Sequence, residues 1–100
     1  MTEYRVKLYP RAYRDIEEIY EYIAGQKTAP DTAKGQTDRI YEELSKLKEF
    51  PYAHQDRQQG RYAGKRYKQL LIDNYFAIYR IDEENKIVYV ITVQYYGRDF

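Results

Sequence analysis

The residues best suited to chemistry in this chain are cations and phenols. From Arg57 to Lys68 the sequence places Arg57, Arg61, Lys65, Arg66 and Lys68, with no acid until Asp73. Such a block suits a phosphate or an acidic protein partner better than the formal net charge of +1 suggests. A second concentration is 93-VQYYGRDF-100, where Tyr95 and Tyr96 precede Arg98 and Asp99. Thiolate chemistry is excluded, because the 100 residues include no cysteine. The single histidine, His54, would leave a zinc site to carboxylates, so neither a metal nor a cofactor is expected. His54 itself falls in an aperiodic stretch and is assigned to the surface.

The elements that must position these groups follow from periodicity. Residues 4–9, YRVKLY, alternate Val6 and Leu8 with Arg5 and Lys7, the mark of a half-buried strand. Pro10 ends that strand and suits the first turn of a helix. Ala12, Ile16, Ile19 and Ile23 then form one apolar stripe, which Gly25 should stop. After a short connection, Asp31 or Thr32 is expected to cap a second helix, whose stripe is Ala33, Thr37, Ile40, Leu44 and Leu47. Phe50-Pro51 closes it, and two such helices should pair as a hairpin.

Residues 52–64 carry no period and are expected to be a long loop. Three β-prone runs follow, 66-RYKQLLI-72, 75-YFAIYRI-81 and 87-IVYVITV-93, joined by the turn signal Asp73-Asn74 and by the polar stretch 82–86. The order β-α-α-β-β-β predicts an α+β fold in which a helix hairpin covers one face of an antiparallel meander. Apolar residues fall on both sides of the meander, so the uncovered face is expected to be a partner site.

Length and composition fit a single domain over 1–100. No stretch approaches the ~18 apolar residues of a membrane span. MTEYRVKLYPR lacks the apolar core of a secretion signal, so a cytoplasmic location without membrane contact is expected. Fourteen tyrosines offset a low aliphatic content. Most should line the margins of the core, where a ring is buried while its hydroxyl finds a partner, and the rest are available to a stacking or binding surface.

Together, Ala12, Asp15, Ile16, Ile19, Tyr22 and Ile23, the later Ile40, Leu44, Leu47 and Phe50-Pro51, the run YKQLLIDNYFAIYRIDEENKIVYVITV and a terminal YGRD resemble the RelE/ParE superfamily of type II toxin-antitoxin toxins, also known as plasmid stabilisation proteins. The likeness extends over nearly the whole chain, and its most specific part is NYFAIYRIDEENKIVYV. It implies a toxin that arrests growth and is silenced by a cognate antitoxin. RelE-like members cut messenger RNA in the ribosome, whereas ParE-like members poison DNA gyrase and are not nucleases.

Metal-free RNA cleavage needs activation of the 2′-hydroxyl, protonation of the leaving oxygen and cations on the phosphorane. Aligned on the family pattern, the chain offers Lys68, Arg80, Tyr96 and Arg98 as catalytic candidates. Leu70 and Phe76 occupy positions where nuclease members carry groove cations. Arg61, Lys65, Arg66, Leu70, Phe76 and Tyr95 are candidates for contact with the antitoxin or target. Three readings stay open: a gyrase-binding toxin, a ribosome-dependent mRNA endonuclease, and an inactive member that keeps antitoxin binding.

Overall fold

A computed structural model describes residues 3–26, 29–57 and 62–96, apart from the side chains of Gln26 and Lys65. The elements run β1 (Arg5–Leu8), α1 (Pro10–Glu21), a π-helical turn (Tyr22–Gln26), α2 (Pro30–Ser45), a 3-10 turn (Lys46–Lys48), β2 (Asp56–Arg57), β3 (Gly64–Ile72), β4 (Tyr75–Asp82) and β5 (Ile87–Tyr95).

Both helices begin with proline, whose fixed φ and missing N–H suit the first turn. Neither uses a side-chain cap. Asp31 and Thr32 therefore do not cap α2 as expected: Ala29 occupies that position, and Asp31 acts only as an acid within the first turn. At the start of α1, the Tyr9 N–H donates to Val90 O at 2.9 Å, pinning the helix to β5. The first helix gives way to the π turn before Gly25, so that glycine lies within the turn rather than after the helix. Thr37, the one polar member of the α2 stripe, bonds the carbonyls of Ala33 and Lys34 within its own helix, and so is buried without an orphaned hydroxyl.

The strands form one sheet in the order β1-β5-β4-β3-β2. The meander β3-β4-β5 is antiparallel as expected, whereas β1 joins it parallel to β5, making the sheet mixed. Part of the expected loop also becomes the short edge strand β2, paired with β3. Leu70, Ile72, Ala77, Tyr79, Val88, Val90 and Val93 pack against Ala12, Ile16, Ile40, Leu44 and Leu47 of the hairpin. A smaller cluster of Phe76, Ile78 and Ile91 lies on the opposite face with Tyr9, Tyr62, Tyr67 and Tyr89 around it.

A bulge separates the two halves of β5. Ile78 faces Thr92 but Tyr79 faces Val90, so Ile91 has no partner in β4. That extra residue moves the helix-facing parity from Val88 and Val90 to Val93. Asp15 of α1 anchors the bulge, accepting from the Thr92 hydroxyl and, at 3.1 Å, from the Val93 N–H.

Tyr79 is fully buried, and its hydroxyl donates to Pro51 O at 2.6 Å. Burial holds this phenol well above its ordinary pKa, so it stays a neutral donor. The bond joins the centre of the sheet to the chain leaving α2. Tyr79→Phe leaves the Pro51 carbonyl without its donor, and urea unfolding should show a loss of about 1–2 kcal/mol with the folded-state circular dichroism unchanged.

Candidate functional site

Two cations of the basic block, Arg66 and Lys68, meet Arg80 at the end of the sheet beside the β4–β5 turn. A cleft of about 340 Å³ is lined there by Tyr52, Arg66, Lys68, Arg80 and Ile81. Lys68 stands opposite Tyr79, so it points to the helix side of the sheet, beyond the hairpin. Its ammonium lies 2.9 Å from Asp56 and 3.2 Å from the His54 carbonyl oxygen, and its side chain is only 18% exposed. Its charge is thus already matched within the chain.

Arg80 points to the other face. Its guanidinium sits 4.4 Å from the centre of the Tyr89 ring and donates to the Tyr9 hydroxyl at 3.3 Å. Arg66 is exposed and makes no ion pair among the described residues. Tyr52 lines the cleft and was not singled out from sequence, because it belongs to the aperiodic stretch after Pro51. Its hydroxyl donates to Glu83 at 2.6 Å; Tyr4 donates to the same carboxylate oxygen at 2.6 Å, and Lys86 pairs with the other oxygen.

Beyond Arg80 the open face is aromatic and largely self-covered. Phe76 is 2% exposed. The Arg57 guanidinium lies 4.5 Å from the Phe76 ring centre, and the Tyr96 ring meets the same ring edge-on at 6.1 Å. Arg57 also donates to Gln69 at 2.8 Å. Tyr62 packs on Tyr67, and Tyr9 on Tyr89.

Leu70 does not share this face with Phe76. Leu70 pairs with Ala77 and Leu71 with Phe76, so Leu70 turns into the helix-side core at 5% exposure. The expectation that Leu70 contacts a partner is corrected on that ground. Successive side chains alternate across a strand, and only the register shows which residues of β3 and β4 point together.

The far end of the sheet holds the exposed Tyr95 and Tyr96. Tyr95 meets Tyr75 edge-on at 5.7 Å, and the Tyr96 N–H donates to Asn74 O at 2.7 Å. Burial, with Tyr95 beside it, raises the Tyr75 phenol above its ordinary pKa, so Tyr75 stays protonated at neutral pH. Tyr89 is cross-strand from Arg80, and Tyr95 lies six residues further along the same strand. At ~3.3 Å per residue, roughly 20 Å separates these two positions. Lys68 and Arg80 thus reach one cleft from opposite faces of the sheet, whereas Tyr96 stands at the opposite end. Arg61 and Arg98 lie outside the described residues, as does the side chain of Lys65. No group of acidic and histidine side chains suited to a metal occurs among the described residues. Nor is any helix among them long and apolar enough to cross a membrane.

Two helices packed on a five-stranded mixed sheet match the RelE/ParE-like fold. The chain superposes on the chromosomal ParDE system of P. aeruginosa with a TM-score of 0.74 at 17% identity, covering 93% of this chain and 96% of that one. For the RelBE2 complex of Mycobacterium tuberculosis the TM-score is 0.67 at 20% identity, covering 94% and 99%. For the isolated E. coli RelE toxin it is 0.64 at 17% identity, covering 96% and 87%. No curated protein matches the sequence. The family described as "ParE toxin of type II toxin-antitoxin system, parDE" matches residues 6–100, and the chain belongs to it. It is a RelE/ParE-superfamily toxin of a toxin-antitoxin system.

The far end is held in place by the β3–β4 turn. The Asp73 carboxylate accepts from Arg39 at 2.8 and 2.9 Å and from Gln36 at 3.0 Å, tying the turn to α2. These bonds, Arg39 first, hold the carboxyl below its ordinary pKa. A depressed carboxylate contributes stability above its unfolded value near ~4 and loses it as pH falls through the folded value. Asp73→Asn keeps a residue that tolerates the positive φ while removing the charge. The stability gap between the two proteins should be open at neutral pH, close below about pH 4, and shrink in high salt because the pair is exposed. Chemical unfolding across pH measures it.

Proposed function

We propose that this toxin arrests growth by binding an essential intracellular protein, DNA gyrase, rather than by cutting RNA. The observation that carries the reading is that the cations of the cleft are already engaged within the chain and the candidate tyrosine stands far from them. A phosphoryl-transfer site needs its acid, base and cations around one atom. Here Lys68 and Arg80 share a cleft, but Lys68 is paired with Asp56, Arg80 is held over Tyr89, and Tyr96 lies roughly 20 Å along the strand from Arg80's end. An aromatic face edged with arginine fits protein recognition, since Tyr and Arg are favoured at binding hot spots. The same face suits a cognate antitoxin, whose acidic or amphipathic segment would cover Arg57, Phe76 and Tyr67. Solved relatives include toxin-antitoxin complexes of the RelBE type, which supports such a partner.

One observation favours the endonuclease reading: Tyr52 stands beside Arg66, Lys68 and Arg80 in a single cleft, offering a ring for a base near cations for a phosphate.

Purified chain, assayed in parallel on gyrase supercoiling and on ribosome-bound message, separates the readings. The expected result is loss of supercoiling with intact message, relieved by the antitoxin. In the same assay Tyr95→Ala with Tyr96→Ala should weaken gyrase inhibition by about tenfold or more, as expected for exposed aromatic anchors. Cleaved message with unaffected supercoiling would overturn the proposal, and Arg98→Ala with Tyr96→Phe would then test the endonuclease site. Harmless expression without antitoxin would identify the chain as an inactive member.

A further inference from the structure

The outer side of the helix hairpin carries a second concave feature, remote from the sheet. Tyr13, Glu17 and Tyr20 of α1 and Thr37 and Tyr41 of α2 line a groove of about 260 Å³ floored by Ile16. On α1 the spacing is i, i+4, i+7, and on α2 it is i, i+4, so both sets lie along the seam between the helices. Tyr13 is 51% exposed, Tyr20 38% and Tyr41 41%.

Elsewhere this chain covers its rings with its own cations: Arg57 on Phe76, Lys68 on Tyr52, Arg80 on Tyr89 and Lys86 on Tyr4. Among the described residues no cation lies over Tyr13, Tyr20 or Tyr41. Glu17 likewise has no ion pair among them. Lys34, close to Tyr20, is engaged by Asp38 at 2.8 Å. Burial, Tyr13 and Glu17 all raise the Tyr41 phenol above its ordinary pKa, so its hydroxyl stays protonated in the groove.

We propose that this groove receives an arginine side chain from a basic segment of a partner protein. Tyrosine faces attract a cation through the ring quadrupole, and hydroxyl and carboxylate oxygens accept its N–H groups. Guanidinium fits better than ammonium, because it stacks flat on a ring while presenting a two-pronged edge to a carboxylate such as Glu17. The volume suits one long side chain; pockets for small organic ligands begin near ~300 Å³. The inference rests on the hairpin alone and holds whichever target the toxin has.

The test is an NMR titration of the purified full chain with a short capped peptide carrying one arginine. The controls are the same peptide with neutral, isosteric citrulline and the same peptide with lysine. Saturable shifts at Tyr13, Tyr20 and Tyr41 are expected, with citrulline and the Glu17→Gln variant each weakening binding about tenfold. Tyr20→Phe should retain binding and Tyr20→Leu lose it; all three substitutions are at exposed or half-exposed positions, and thermal melts confirm folding. Equal binding of citrulline, tighter binding of lysine, or shifts confined to other acidic side chains would overturn the proposal. So would sedimentation showing that the face instead pairs two copies of this chain, with the pairing lost in Glu17→Gln.

Discussion

The β3–β4 turn is two residues long, and its first residue, Asp73, sits at φ 54°. Aspartate tolerates the left-handed region better than most side chains, and a tight turn of this kind admits one pairing of the strands it joins. From that pairing follow Leu70 opposite Ala77, Leu71 opposite Phe76 and Lys68 opposite Tyr79. A slip by one residue would turn Ala77 and Tyr79 out of the core and Phe76 and Arg80 into it. Asp73 also holds Arg39 and Gln36 of α2, so the turn that sets the register also locates the helices above it.

That dependence explains what was legible in the sequence. The stripes on both helices, the turn at Asp73-Asn74 and the meander all show in local periodicity, because each is decided within about a dozen residues. The bulge at Ile91 does not, since IVYVITV is apolar on both faces and its parity changes without a break in the pattern. Nor does the parallel seat of β1 beside β5, which joins residues about eighty apart. Leu70 was misplaced for a related reason: alternation within β3 says which residues travel together, but not which face they take. Tyr52 carried no signal, as its place depends on Glu83 and on the path of an irregular segment.

Family membership and site geometry answer different questions. Membership over residues 6–100 establishes the kind of toxin and its scaffold. Chemistry depends on whether charged groups are free to meet a substrate, and here several are already engaged. Lys68 is held by Asp56, Lys86 by Glu83, and Arg80 by aromatic rings. Such contacts hold the side chains at this edge of the sheet in fixed places.

The guanidinium of Arg57 over Phe76 has a consequence for specificity. Phenylalanine at the centre of an open sheet face would ordinarily give the free protein a sticky, indiscriminate surface. With the guanidinium over its face and the Tyr96 ring at its edge, this ring is nearly inaccessible in the free chain, and a group reaching it would have to displace Arg57. An acidic side chain beside an apolar one meets that condition, and a purely greasy surface does not. Arg57 thus keeps an apolar ring from lying bare on the open face.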